Sequence, residues 1–334
     1  MNQKNVTIKD IALKANVSKS TVSRVLNNTT PVNKTKRQAV LSAMEELKFK
    51  PNVFARRLAG GKSMTIGIVT EYIGSPFYDS IAKGAIEQLN DANYTAIIAD
   101  GQWQEKLERD AITTLVERQV DGLIIIGGSL KTQSVEELIG DTPSVMVARR
   151  DAGCEDRCVY IDNKEAAKVA TNHLIEMGHK KIAHIMGDPT HRDAVDRYAG
   201  YKEAMAEAGL DASDDLFAQG DFEAVSGESA METLLEKGTE VTAVFASNDQ
   251  MALGARLTLY RKGIRCPEDM SIIGFDNQIS SAYMTPPMTT VAQPGLEMGR
   301  AAAVLLFDFI NKKTPQIPSF SAKLVIRESV AKAK

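Results

Sequence analysis

Cysteine is scarce in this chain, and the three present (Cys154, Cys158 and Cys266) form an odd set. Cys154 and Cys158 stand in a CxxxC spacing with no second pair and no histidine nearby. Reduced thiols are therefore expected, with neither a disulfide framework nor a metal site. Long hydrophobic runs are missing too. None approaches the roughly 18–20 residues that span a bilayer, and the opening Met1-Asn2-Gln3-Lys4-Asn5 leads into a polar periodic segment with no apolar signal core. The expectation is a soluble, cytoplasmic chain with no membrane partner. Catalytic punctuation is also lacking. There is no GxGxxG after the first strand-like segment, no GxxxxGK loop, no GxSxG and no HExxH. No Cys–His or Ser–His pair has a spacing that supports nucleophilic chemistry. An enzyme is not expected, nor a cofactor or a catalytic residue.

What is present is an asymmetry of charge. The formal net charge is −3 over 334 residues. Residues 1–62 hold nine Lys and four Arg against Asp10, Glu45 and Glu46, a balance of +10 that leaves −13 for the rest. A basic head on an acidic body confines any nucleic-acid contact to one end. The length points to two or three domains.

The head reads as three short helices. Ile8, Ile11, Ala12 and Ala15 recur at helical spacing, with Thr7 placed as a cap. Asn16 tolerates the left-handed conformation of a tight turn. Ser18 is a good cap for a second helix carrying Val22, Val25 and Leu26, which ends at Asn27-Asn28. Val40, Ala43, Met44 and Leu47 mark a third, preceded by Thr30-Pro31-Val32-Asn33. Two short helices separated by a tight turn, with a third across them, form a helix-turn-helix. The second helix of such a pair enters the major groove. Its exposed side chains, Lys19, Ser20, Ser23 and Arg24, can donate to guanine edges or meet phosphate.

From Met64 the pattern changes to strands alternating with helices. Strand segments are read at 65–70, 95–99, 121–126, 144–148, 158–161, 181–186, 242–246 and 271–275. Helices are read at 79–92, 105–119, 164–177, 197–208 and 249–262. Two such series predict an α/β core of two doubly wound parallel-sheet lobes. The last strands, near 289–292 and 323–326, are placed at crossings between lobes. Ligands of such sheets bind beyond the carboxyl ends of the strands. There the sequence gathers Tyr72 and Phe77-Tyr78, Asp100 to Trp103, Arg149 to Asp151, Asn248-Asp249 and Asp276-Asn277. Carboxylates, amides, arginines and aromatics together suit a sugar. Asp249 reads most simply as a helix cap, His179 as a helix C-terminal residue and His184 as a core histidine.

The stretches Thr7-Ile-Lys-Asp-Ile-Ala12, Val17-Ser-Lys-Ser-Thr-Val-Ser-Arg-Val-Leu-Asn27 and Pro51-Asn-Val-Phe-Ala-Arg-Arg-Leu-Ala59 resemble the head and hinge of the LacI/GalR family of bacterial repressors. Ser247-Asn-Asp-Gln-Met-Ala-Leu-Gly254, Ile273-Gly-Phe-Asp-Asn277, Pro287-Met-Thr-Thr-Val291 and Asp196-Arg-Tyr-Ala-Gly-Tyr201 are similar to its core. The resemblance implies a periplasmic-binding-protein-like core behind a small all-α head. Residues 1–50 would be the DNA-binding domain, 51–62 a hinge helix and linker, and 63–334 the effector-binding and dimerisation core. Within the core, one lobe takes about 63–161 plus 291–320 and the other about 162–290 plus 321–334.

The same resemblance implies a DNA-contacting set of Thr7, Lys19, Ser20, Thr21, Ser23, Arg24, Asn27, Asn52, Ala55, Leu58 and Ala59. Lys19, Ser20 and Arg24 fall at base-reading positions, and Leu58 at the apolar wedge that kinks the minor groove. Lys19-Ser20 departs from the lac-type Tyr-Gln, so the operator need not be the lac one. Arg197, Asn248 and Asp276 match effector-contacting positions and Phe222 an aromatic that stacks on the effector. Phe77, Tyr78, Trp103, Arg149, His191 and Asp193 lie in segments lining the cleft. The implied partners are double-stranded operator DNA, a small-molecule effector, most simply a neutral sugar inducer, and a second copy of the chain. Only six residues follow Glu328, without leucine heptads, so a dimer is expected and not a coiled-coil tetramer. A purine or nucleoside corepressor is the alternative effector, since Gln219-Gly-Asp-Phe-Glu223 also resembles the purine branch. A solute-binding protein is the alternative of another class, disfavoured by the basic head and the missing leader.

Overall fold

The computed structural model describes residues 6–27, 31–49, 62–150, 153 and 155–334, and the chain divides into two units, residues 1–65 and 66–334. In the first unit, α1 (Ile8–Lys14), α2 (Lys19–Asn27) and α3 (Lys34–Glu46) are the three expected helices. Their boundaries follow from local hydrogen bonding. The Thr7 backbone N–H and hydroxyl donate to the Asp10 carboxylate at 2.8 and 2.7 Å, fixing the start of α1. Asn16 takes the left-handed turn, with φ 49°. The Ser18 hydroxyl accepts from the Thr21 N–H at 3.1 Å and so opens α2. Asn33 does the same for α3, accepting from Thr35 N–H at 2.9 Å. Ile11, Val22 and Val40, one from each helix, are fully buried, with Ala12, Val25 and Ala43 beside them.

The second unit holds two sheets. The first has the order β2 (Thr95–Asp100), β1 (Thr65–Thr70), β3 (Gly122–Ile126), β4 (Ser144–Val147), β5 (Cys158–Val159). The second runs β11 (Lys323–Val325), β10 (Thr289–Ala292), β9 (Ser271–Asp276), β8 (Ala243–Ala246), β6 (Ile182–Met186), β7 (Phe217–Gln219). β1 pairs parallel to β3 from Ile66 opposite Gly122, and β6 parallel to β8 from Ile182 opposite Ala243. β11 alone among the described pairings runs antiparallel, against β10. The central strands are apolar on both faces and fully buried, as helix-covered parallel sheets require.

Helices flank both sheets: α4 (Pro76–Asp91), α5 (Glu105–Glu117) and α6 (Thr132–Ile139) with the first, and α7 (Asn163–Glu176), α8 (Arg192–Glu207), α9 (Ala224–Glu236) and α10 (Asp249–Arg261) with the second. α11 (Gly295–Ile310) follows β10 yet packs on α4, β3 and β4 of the first lobe. Gly84 and Gly299 sit where α4 and α11 touch, and Gly227 and Gly254 where α9 and α10 touch. A Cβ at any of these would collide with backbone of the facing helix.

The chain passes between the lobes after β5, at 293–294 and again at 311–322. β10 keeps residues 291–292 within the second sheet, so the return to the first lobe starts at Gln293. The strands near 289–292 and 323–326 both belong to the second sheet. Two helices start earlier than their apolar periodicity suggests. α4 begins at Pro76, because Ser75 is extended and proline favours a first turn. α8 begins at Arg192 rather than 197, its first turn being polar. β7 was not anticipated; three residues are too few for a period-two pattern.

Candidate functional site

Each sheet reverses its strand order once, between β1 and β3 and between β6 and β8. The loops leaving those strands therefore face one another across the cleft between the lobes. On the first lobe, Phe77 and Tyr78 occupy the first turn of α4, their rings 5.5 Å apart, and Tyr78 lies 5.8 Å from Trp103. Trp103 then stacks on His191 of the second lobe at 3.7 Å between centroids, and His191 on Phe222 at 5.5 Å with only 7° between planes. Five of the expected residues thus make one aromatic ladder that crosses from lobe to lobe. Burial lowers the His191 pKa, opposed by Asp188. The ring is neutral at neutral pH and stacks without a cation to desolvate.

Beneath the ladder lies a polar cluster built on Arg197, which is only 3% exposed. Its position one and a half turns into α8 carries it inward. Nε donates to Asn163 Oδ1 at 2.9 Å and Nη1 to the Ser247 carbonyl at 2.6 Å. The guanidinium lies 3.9 Å from the Phe275 ring centroid, a cation–π contact. Two carboxylates flank it, Asp193 at 3.8 Å and Asp276 at 3.9 Å. Asn163 Nδ2 donates to Asp193 at 3.0 Å, and Gln293 Nε2 to Asp276 at 2.7 Å. Burial pushes Asp276 up to about 7 against the pull of Arg197, with Asp249 adding to the rise. Asp193 is raised by burial as well, Arg197 again opposing. One guanidinium between two desolvated carboxylates leaves hydrogen-bonding capacity for a ligand rich in hydroxyls.

Three residues of this site hold the left-handed backbone without being glycine: Trp103 at φ 52°, Phe222 at φ 75° and Asp276 at φ 108°. Such strain persists where surrounding contacts hold it, and it gathers at ligand clamps.

Other expected residues fall out differently. Asn248 is the cap of α10, its Oδ1 accepting from Met251 N–H at 2.8 Å while Nδ2 donates to the Phe222 carbonyl at 2.8 Å. The capping role expected of Asp249 therefore belongs to its neighbour. Asp249 is buried and accepts from Gln278 N–H at 2.8 Å, Ser281 hydroxyl at 2.5 Å and Thr290 hydroxyl at 2.6 Å. Arg149 bonds within its own lobe, donating to the Leu130 carbonyl at 2.7 Å and lying 3.9 Å from the buried Glu108. His179 is a buried tie, bonded to Thr242 Oγ1 and the Ala331 carbonyl, each at 3.0 Å. His184 is fully buried and stacks on Tyr201 at 5.0 Å.

In the first unit, Thr7, Lys19, Ser20 and Arg24 are exposed and Thr21 and Ser23 half-exposed. The Ser20 and Thr21 hydroxyls also bond the Ser18 cap at 2.8 and 2.9 Å. Asn27 ends α2. Asn52, Ala55, Leu58 and Ala59 lie outside the described residues, as does the side chain of Asn27. Sequence reasoning missed Asn163, Gln293 and Glu71. The first two are ordinary amides beside a helix start and a proline, with no pattern to single them out. Glu71 directly follows the apolar strand β1, and a carboxylate in that position was the available signal.

The comparisons with known proteins agree with this fold. Residues 7–52 match the model of bacterial regulatory proteins of the lacI family, and residues 171–330 match a periplasmic binding protein-like domain. The HTH-type transcriptional regulator GalR of Escherichia coli is 38% identical over 97% of this chain and 96% of its own length. The chain belongs to the LacI/GalR family of transcriptional regulators. The HTH-type transcriptional repressor CytR of Escherichia coli is 38% identical over 90% of this chain and 89% of its own. Among solved structures, a lac repressor dimer bound to operator and the anti-inducer ONPF superposes with TM-score 0.88 at 27% identity, covering 98% of this chain and all of that one. The transcriptional regulator CelR in complex with cellobiose superposes with TM-score 0.72 at 33% identity, over 97% and 99%. As a member of this family the chain is a regulator rather than an enzyme. Among the described residues no helix is long and apolar enough to cross a membrane.

Proposed function

We propose that this regulator is a repressor that binds operator DNA through α2 as a homodimer and is released by a neutral sugar bound between its lobes. The carrying observation is the cleft itself, an aromatic ladder over Arg197 with Asp193, Asp276, Asn163 and Asn248 around it. Paired hydroxyls take the carboxylates and amides, and a sugar's C–H face takes the rings. Cellobiose in the CelR complex supports the ligand class. The operator-bound lac repressor dimer supports the DNA and the second copy. For the second copy this chain offers an exposed apolar face of Leu253, Leu257 and Tyr260 on α10, sharing one groove with Met284 and Thr285, next in sequence to the exposed Tyr283. Single exposed apolar residues are common, but a contiguous set marks an interface.

In this reading Lys19, Ser20, Arg24 and their α2 neighbours read the major groove, with Thr7 at the backbone. The hinge around Asn52, Ala55, Leu58 and Ala59 engages the minor groove. The effector exchanges the Trp103–His191 contact for its own contacts. Because binding energies are linked, whatever factor the sugar takes from operator affinity, the operator takes from sugar affinity.

The test is a duplex selected from a random pool by the purified protein. Its affinity is measured by anisotropy across a salt series with galactose, glucose, cellobiose, ribose or adenosine present. One sugar is expected to weaken binding by about tenfold or more, within the usual coupling range, and the affinity to fall steeply with salt. Affinities unmoved by every sugar sink induction. The near-parallel rings of Trp103, His191 and Phe222 favour one second reading, a planar purine or nucleoside corepressor, for which adenosine would strengthen DNA binding instead.

A further inference from the structure

The Arg197 cluster belongs to the second lobe. On the first lobe a fully buried carboxyl stands beside the ladder: Glu71, immediately after β1 and 0% exposed. Its Oε2 accepts from the Trp103 backbone N–H at 3.2 Å. Its Oε1 is buried and, among the described residues, has no hydrogen-bond partner. Glycine backbone packs directly against it. A Cβ on Gly101 would stand 2.8 Å from both carboxyl oxygens, and one on Gly127 would meet Glu71 Cγ at 3.2 Å, the Trp103 ring at 3.3 Å and the Tyr78 ring at 3.6 Å. An orphan oxygen packed against two glycines and two ladder aromatics is costly to keep. Among the described residues no group donates to it.

Resting on the sugar reading above, we propose that Glu71 is the first-lobe anchor for the effector, its Oε1 accepting a hydroxyl hydrogen bond from an uncharged sugar held between Trp103 and the Arg197 cluster. This makes the site two-ended. The second lobe grips with Arg197, Asp193 and Asp276, the first with Glu71, and one ligand joins the two. Tyr78 stands between the ends, its phenol raised by burial and influenced by Asp193, Arg197 and Asp276 from one side and by Glu71 from the other.

The charged groups facing Glu71 are Glu108 from α5, Asp100 from β2 and Arg149 after β4. Burial first, then Glu108, pushes its carboxyl up to about 8, with Arg149 opposing. In the unliganded protein at neutral pH it is largely the neutral acid. A sugar hydroxyl is accepted best by the carboxylate, so binding releases a proton, and affinity rises as pH climbs through about 8.

The experiment uses the full-length protein, titrated calorimetrically with galactose, glucose, cellobiose and ribose from pH 6 to 9. The variants are Glu71→Gln, which keeps the shape, and Glu71→Ala. For whichever sugar binds the wild type, Glu71→Ala is expected to bind about tenfold or more weakly, the scale of one charge-assisted hydrogen bond. Glu71→Gln is expected to lose the pH dependence even where it retains affinity. A wild type that binds none of the four sugars overturns the sugar reading and the anchor together. A wild type that binds, with both variants matching its affinity and pH profile, overturns the anchor alone. Trp103, the chain's one tryptophan, gives a reading that needs no ligand. Its emission should step near pH 8 in the wild type and stay flat in Glu71→Gln; a wild type flat over the same range counts against the anchor.

Discussion

Arg197 shows how one side chain can hold a site together before any ligand arrives. Among the described residues it is the cation that lies within 4 Å of both Asp193 and Asp276, and it also bonds Asn163 and the Ser247 carbonyl. Removing it leaves the buried Asp276 without its counter-charge and Asp193 with only the weaker influence of Arg192. Arg197→Leu should therefore cost about 3–5 kcal/mol, the scale of breaking a buried ion pair from one side, read as a lower melting temperature. The loss should be smaller at pH 5 than at pH 8. Asp276 already has a raised pKa near 7, and without Arg197 it rises further. Protonation then relieves the unpaired charge in acid, and the penalty grows as pH passes the raised value. A loss independent of pH would mean that Arg197 acts through packing alone. Arg197 itself was legible because it stands in a long family-like stretch. Its burial was not, since a surface helix position and a buried one carry the same letter. Glu71 went unread for a related reason: one glutamate after a strand looks like a solvated loop residue until the glycines around it are seen.

At the scale of elements, the small unit depends on its caps. Ser18 opens α2, and its hydroxyl is shared by Thr21 N–H, Ser20 and Thr21 hydroxyls. Ser18→Ala should destabilise this helix by about 1 kcal/mol. Hydrogen exchange on the intact chain would show it as roughly fivefold faster exchange in α2, with the two sheets unaffected; unchanged α2 protection would assign the cap no weight. These helices were legible because the head's apolar spacing, its capping residues and the Asn16 turn all agree. The strands of both sheets were legible because parallel β is apolar on both faces and separated by amphipathic stretches. Where reading failed, the local signal was weak. β7 has three residues, and α4 and α8 open on turns whose polar or aromatic side chains face the cleft instead of the core. The opening turns of α4 and α8, which broke the periodic rule, carry Phe77, Tyr78 and Asp193 of the candidate site.

For the molecule as a whole, the proposed dimer rests on the apolar face around α10. Charging it should separate the copies. Leu257→Asp combined with Tyr283→Asp is expected to shift sedimentation equilibrium to monomer at micromolar concentration and to weaken operator binding, while sugar affinity stays near that of the wild type. Both residues are exposed, at 40% and 82%, so folding is not at risk; a double variant that still sediments as the parent would move the interface elsewhere. The two-lobed plan was legible from the repeated alternation of segments. The exact return point between lobes was not, because Gln293-Pro294 carries no periodicity. That return point matters beyond topology. Gln293 is the first residue after β10 on the way back to the other lobe, and its amide is tethered to Asp276 at 2.7 Å. On the proposed reading, a sugar hydroxyl that claims the same carboxylate oxygen would tug on a tether whose other end is a chain crossing. On that reading, occupancy at the bottom of the crevice and the angle between the halves would be written into a single shared acceptor, so the news of a bound guest would travel no farther than one side chain before it became mechanical.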